Sequence, residues 1–281
     1  PMSFTPDLDR YFDRIGYGGP TVPNLATLNA LIGAHASSIP FENLDILLGR
    51  PILLDPAALE RKLVLLRRGG YCFEQNTFFM YVLSALGYRV LPLAGRVRVG
   101  LPRDTIAPRT HCFLRVELPE GSWLVDVGVG GFTPTAAVRL QLDAVQETPH
   151  EPRRITSEGN WQGFELRSPT ARLFHQVHFD DTWHDVYDFT LEPMPEVDRE
   201  LGNWFTSAHP SSHFRSRLTA ARATADGRLA LLNRRFTRRR AGTIFEQRDL
   251  ANPEELLAIL ASDFGLDFPP GTRFDCSGLE W

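Results

Sequence analysis

Residues 68–76 run Arg68-Gly69-Gly70-Tyr71-Cys72-Phe73-Glu74-Gln75-Asn76, and the rest of the chain is best understood from them. Two glycines turn the backbone sharply into a helix, and Cys72 falls in the first turn of that helix. A helix N-terminus carries unpaired N–H groups and a partial positive charge, both of which favour a thiolate. The same N–H groups are suited to receive an oxyanion. A cysteine so placed is either an inert core residue or a nucleophile. A nucleophile needs a base, and usually a group that orients the base.

Downstream, His111 and Asp126 lie on two predicted strands joined by the turn Leu118-Pro119-Glu120-Gly121. Pairing Glu117 with Ser122 sets His111 opposite Gly128 and puts Asp126 on the same face at a diagonal. Diagonal neighbours are roughly 7–8 Å apart at the backbone, and a one-residue slip would send Asp126 to the other face. The pair is then either a base with its orienting acid or a structural pair on a sheet face.

Upstream of Cys72 the patterning is helical. Thr5-Pro6-Asp7 predicts a cap followed by an initial proline, opening a helix to about Ile15, and Asp55-Pro56 repeats that start. Leu25, Leu28, Leu31, Ile32 and His35 follow helical spacing until Pro40, and the Cys72 helix is expected to end at Gly87. From about Arg89 alternation takes over. It predicts strands over 90–99, 109–117, 123–129, 161–167, 173–179 and 183–189, forming an antiparallel barrel or sandwich. A helical crossover is expected over 193–205. Strands over 217–224, 229–233 and 242–247 follow, then a helix to about Phe264 begun by Asn252-Pro253-Glu254-Glu255 with its capping-box glutamate. The expected class is α+β in three units: a helical bundle (1–88), an antiparallel barrel or sandwich with the crossover helix (89–206), and a third unit of strands and a helix (207–281).

Composition removes several functions. At 43% hydrophobic and 23% charged, the 281 residues describe neither a disordered chain nor a coiled coil. A net charge of -4 gives no general field for nucleic acid, and no apolar run approaches the roughly 20 residues of a membrane span. Neither partner is expected. Of 30 basic residues only Lys62 is a lysine, a bias that suggests a GC-rich genome and discounts arginine clusters such as Arg234, Arg235, Arg238, Arg239 and Arg240. That run predicts a solvated hairpin, with phosphate contact as the alternative. The three cysteines, Cys72, Cys112 and Cys276, are too few for a disulfide framework and fit a reducing cytoplasm. The first residues lack the basic and apolar regions of a signal peptide, and Met2 is taken as the natural start.

The segment 68–76 closely resembles the nucleophile motif of the arylamine N-acetyltransferase family. Thr110-His111, Val125-Asp126-Val127-Gly128, Pro40-Phe41-Glu42-Asn43-Leu44 and Ser207-Ala208-His209-Pro210 resemble further family segments. The resemblance spans nearly the whole chain. It implies an N-terminal helical bundle, a central antiparallel β-barrel and a C-terminal α/β lid, with a papain-like triad of Cys72, His111 and Asp126 between bundle and barrel. It also implies ping-pong transfer of acetyl from acetyl-CoA to aromatic amines, hydrazines or hydrazides, without a metal. The implied acceptor lining is Phe41, Tyr71, Phe73, Val97, Phe132 and Phe205. After Asp126 the family usually has Gly-Phe-Gly, whereas Gly128-Val129-Gly130-Gly131 carries valine, which should widen or soften the acceptor pocket unless Phe132 supplies the ring. Gly128, Gly130 and Gly131 would let the backbone approach the acetyl group and the pantetheine arm.

Three function classes follow: acetyl transfer; another reaction of the same triad, such as a papain-like protease, a transglutaminase or an amide synthase acting on a polyketide thioester; and a silent binding protein. His175 and His178, with Asp180, Asp181, His184 and Asp185, resemble metal ligands in composition, but on a strand the two histidines face opposite ways. Cys112 should face away from His111 and serve packing.

Overall fold

The computed structural model describes residues 4–158 and 172–281; the strand expected over 161–167 lies outside them. The chain opens with helices α1 (Leu8–Ile15) and α2 (Leu25–Ser38), the short strand β1 (Phe41–Glu42), and helices α3 (Leu44–Leu47) and α4 (Pro56–Glu60). A π-helical turn (Arg61–Leu65) leads to α5 (Cys72–Ala85). The cap of α1 is Asp7, whose carboxylate accepts from the Arg10 amide, and not Thr5. A short acidic side chain directly before the helix takes the free amides better than a hydroxyl two residues earlier. Asp55 caps α4 with Pro56 at its first position, as expected.

Seven antiparallel strands follow: β2 (Arg89–Val97), β3 (His111–Leu118), β4 (Gly121–Val125), β5 (Val138–Arg139), β6 (Arg153–Ser157), β7 (Leu173–Phe179) and β8 (Thr182–Pro193). Their order is β5-β4-β3-β2-β8-β7-β6. The segment after β5 reaches back to β6 through Leu142–Ile155 and Gln146–Arg153 bridges, so the sheet nearly closes into a barrel. Glu117 pairs with Ser122 as predicted. The ladder stops at Leu114–Val125, however, so His111 has no partner on β4 and Asp126 stands just past the strand.

Helix α6 (Glu196–Ala208) and a 3₁₀ turn (His213–Arg215) lead to β9 (Thr219–Ala223), β10 (Gly227–Leu232), β11 (Arg235–Arg240), β12 (Thr243–Asp249) and α7 (Pro253–Phe264). The arginine run is the strand β11, which the alternation did not reveal because most of its outward positions carry the same charged residue. The second sheet has the order β1-β9-β10-β11-β12, so Phe41 and Glu42, distant in sequence, form its edge against Ala221 and Ala220.

Both faces of β3 are buried over its first half, His111 to Leu114. Phe113 enters the barrel interior with Leu93, Leu124, Val186 and Phe189. Leu114 and Val116 pack on the other side with Phe78, Phe79, Val82 and Leu83 of α5. Helix α5 therefore lies flat on the barrel wall, and its first turn reaches the strand end that carries His111. Among the described residues no helix is long and apolar enough to cross a membrane.

Candidate active site

The turn into α5 is held from every side. A β-carbon on Gly69 would stand 2.2 Å from the Pro40 carbonyl oxygen, so only glycine lets the two backbones approach. Gln75 donates to the carbonyls of Pro40 (3.1 Å) and Gly70 (2.6 Å), and Glu74 accepts from the Tyr71 amide at 3.0 Å. Beneath the turn lies a charge cluster. Lys62 Nζ bridges Glu74 Oε1 (2.6 Å) and Asp45 Oδ2 (2.8 Å), and Arg68 bridges Glu42 (2.9 Å) and Asp45 (3.2 Å). Burial pushes the Glu74 carboxyl up from its ordinary range against the pull of Lys62. Asp45 is also raised by burial, but Lys62 and Arg68 outweigh this and hold it low. The one lysine of the chain thus sits under the cysteine-bearing helix terminus.

Cys72 is 4% exposed, and its thiol points to the Thr110 carbonyl at 3.7 Å. His111 is buried next to it, with Nε2 donating to Asp126 Oδ2 at 2.7 Å. An ionised carboxylate can only accept, so Nε2 carries a proton and Nδ1 is the ring atom left for other chemistry. Burial drags the His111 pKa down, but the charge and hydrogen bond of Asp126, with the Cys72 thiol nearby, reverse this and lift it to about 10. Asp126, fully buried, is satisfied by Asn76 Nδ2 (2.9 Å) and the Gly128 amide (2.9 Å) as well as His111. Asn76 Oδ1 in turn accepts from the Val127 amide at 3.0 Å, and its Nδ2 also reaches the Cys112 carbonyl at 2.9 Å.

The structure therefore brings Cys72, His111 and Asp126 together and adds Asn76 as the residue that ties α5 to the Asp126 loop. The clue to Asn76 was its position one helical turn beyond Cys72, on the same face. Tyr187 had no comparable signal. It is fully buried, with its ring 4.7 Å from that of His111 and 4.9 Å from that of Phe113. Cys112 packs with Cys72, Phe73 and Ala94 on the face away from Phe113, and burial pushes its thiol up to about 12.

Of the glycines in the Asp126 loop, Gly128 presses on Cys72 itself: a β-carbon there would lie 2.9 Å from the Cys72 α-carbon. Gly130 lies against the Phe41 ring, while Gly131 has open space around it. A cavity of about 410 Å³ opens where Thr110, Arg109, Pro108 and Ala94 face Met194, Asp198, Leu201, Gly202 and Phe205 of the crossover. Of the six expected lining residues, Phe205 borders it. Tyr71 and Phe73 are wholly buried: Tyr71 donates to Asn203 Oδ1, and Phe73 lies under Gly202. Phe41 sits at the edge of the second sheet and Val97 at the end of β2. Val129 and Phe132 pack on the barrel core, Phe132 edge-on to Phe179 at 5.8 Å.

His175 is buried in the barrel and His178 meets Trp183 edge-on at the rim, on opposite sides of β7. The arginine run is engaged within its own unit except at Arg239, which reaches the barrel. Arg235 pairs with Asp249, Arg238 with Asp263, Arg240 with Asp226, and Arg239 covers the Phe179 ring.

The described residues thus form a helical bundle, a near-closed barrel and an α/β unit, with a buried cluster of Cys72, His111 and Asp126 between the first two. A family profile described as N-acetyltransferase matches residues 24–272. The arylamine N-acetyltransferase of Mycobacterium tuberculosis H37Rv is 45% identical over 265 residues, 93% of this chain and 89% of that protein. The enzyme of the same name from Escherichia coli K12 is 44% identical over 264 residues, with 93% and 89% covered. The structure of Mycobacterium marinum arylamine N-acetyltransferase in complex with CoA superposes with a TM-score of 0.85 at 42% identity, covering 92% of each chain. The chain belongs to the arylamine N-acetyltransferase family and is an acyltransferase.

Proposed function

We propose that the protein transfers acetyl from acetyl-CoA to the nitrogen of arylamines, arylhydrazines or hydrazides by a ping-pong route through acetyl-Cys72. The observation that carries this reading is the buried 2.7 Å contact of His111 with Asp126 beside a cysteine in the first turn of a helix. His111 takes the Cys72 proton at Nδ1, and the thiolate attacks the thioester carbonyl while α5 amides receive the oxyanion. The carbon–sulfur bond to CoA breaks, and CoA leaves with the proton returned by His111. Exchanging one thioester for another needs little driving force. The amine then attacks acetyl-Cys72, His111 takes its proton, and the thiolate leaves.

CoA bound to the Mycobacterium marinum relative, and the open space at Gly131, support a donor path along the Asp126 loop. The cavity beside Thr110, with Phe205 and Met194 on its wall, suits an aryl acceptor. We assign three units, 1–88, 89–206 and 207–281. The three buried free cysteines support a reducing, cytoplasmic setting. The test is intact mass after incubation with acetyl-CoA and no amine. One acetyl group that is lost on adding an arylamine is the expected result. No adduct, or an adduct that persists in Cys72→Ala, sinks the reading.

A further inference from the structure

A second buried polar chain runs from the C-terminal sheet to the back of the Asp126 loop. Arg228 on β10 grips Glu151 with two bonds, Nε to Oε1 at 2.6 Å and Nη2 to Oε2 at 2.7 Å. Glu151 Oε2 also receives Arg153 Nη2 at 3.3 Å. The same Nη2 donates to the Phe132 carbonyl at 2.9 Å, and Nη1 reaches His175 Nε2 at 3.2 Å. Arg153 and His175 are fully buried, and Glu151 and Arg228 are 7% and 5% exposed. A fully buried guanidinium is costly unless it is paired and hydrogen-bonded. Here its bonds go to the loop that carries Asp126 and Gly128, and to a column of rings. His175 lies 5.0 Å from Tyr187, which lies 4.7 Å from His111. Because guanidinium only donates, His175 must accept at Nε2 and hold its proton on Nδ1. A further contact joins the same two regions: Arg239 of β11 covers Phe179, which packs on Phe132.

We infer that Arg153 is a positioning residue: anchored by Glu151 and Arg228, it lets the C-terminal sheet hold the 127–132 loop and the His175–Tyr187–His111 column in working register. This rests on the reading of Cys72 as the acylated thiol. The consequence is that Arg228 affects acylation without touching either substrate.

Two variants test this without stranding a charge. Arg153→Met leaves Glu151 paired with Arg228, and Arg228→Met leaves it paired with Arg153. The readouts are the acetyl-CoA KM and kcat and the rate of Cys72 alkylation by iodoacetamide, with near-UV circular dichroism as the fold check. Arg153→Met should raise KM and slow alkylation by about tenfold, since small displacements at a reacting centre have large rate effects. Arg228→Met should move both in the same direction by less, and Arg153→Lys should recover part of the loss. Wild-type KM and alkylation in both methionine variants would overturn the inference, as would losses that only follow the unfolded fraction. If Arg153→Met does not fold, wild-type behaviour of Arg228→Met is by itself decisive against it. A wild-type protein that takes no acetyl group, while alkylation still slows in the variants, would remove the acetyl-transfer reading and keep the positioning role.

Discussion

The ground under Cys72 and the outer strands of the C-terminal sheet are both dense in ion pairs, yet they are built on different physics. Under Cys72, Glu42 and Glu74 are 0% and 1% exposed, and each of their charges meets a cation within 3 Å. On the outer sheet, Arg240 and Asp226 meet at 3.2 Å with more than half of each side chain in water. The first kind of pair cannot lose a member without leaving a bare buried charge, whereas water takes over for the second. Counting ion pairs would rank the regions alike; burial separates them.

The largest expected effect is at the deepest pair. Asp126→Asn removes the main support of the raised His111 pKa and should lower acetyl transfer on the order of 10³-fold or more while the fold persists. Steady-state kinetics beside circular dichroism checks it, and near-normal turnover would break the proposed triad. Next is Lys62→Met, which leaves Glu74 buried and uncompensated and should cost about 3 kcal/mol in urea unfolding near pH 7. The deficit should shrink in acid, where Glu74 takes up a proton. An unchanged midpoint would place that cluster with the surface pairs.

The third concerns pH. Burial lowers the His35 pKa to about 3, while its ring bonds Tyr11 (2.9 Å) and Gln75 (3.1 Å). The unfolded chain therefore binds a proton near pH 6.5 that the folded one refuses, so stability falls as pH drops below 6.5 and goes on falling toward 3. Between pH 7 and 5 this amounts to on the order of 2 kcal/mol. His175, also pushed down by burial, acts in the same direction. His111 has the opposite sign: its contribution is full below pH 6.5 and is lost as pH rises toward about 10. A stability profile flat from pH 7 to 5 would contradict the neutral buried state of His35. The smallest effect is Arg240→Ala, expected within about 0.5 kcal/mol of wild type in the same assay. A larger loss would mean that its stacking on Phe245 matters more than its ion pair.

Much of the site was legible because its signals are local. Two glycines, a helix start and a cysteine lie within a few residues, and the Leu118–Gly121 turn brings Glu117 onto Ser122. That register holds as far as Leu114 and Val125, and past them the sequence extrapolation ran too far. The ladder ends at Val125, and Asp126 reaches His111 because Asn76 and the Gly128 amide hold it, not because a sheet register does. The lining aromatics were less legible. Tyr71 and Phe73 flank the cysteine in sequence, but their alternate faces are taken up by Asn203 and Gly202 of the crossover helix.

By itself the sequence determined where several helices start, through caps, prolines and glycines, and which cysteine stands at a helix N-terminus. Those features depend on backbone geometry within a turn or two. Only the tertiary structure decided what surrounds that cysteine. Asn76 meeting Asp126, Tyr187 lying on His111, β1 joining β9 and Arg228 answering Arg153 through Glu151 all link positions at least 50 residues apart. Such contacts form because burying a polar or charged group is unfavourable until a partner is found, and which partner is within reach is a property of the packed chain.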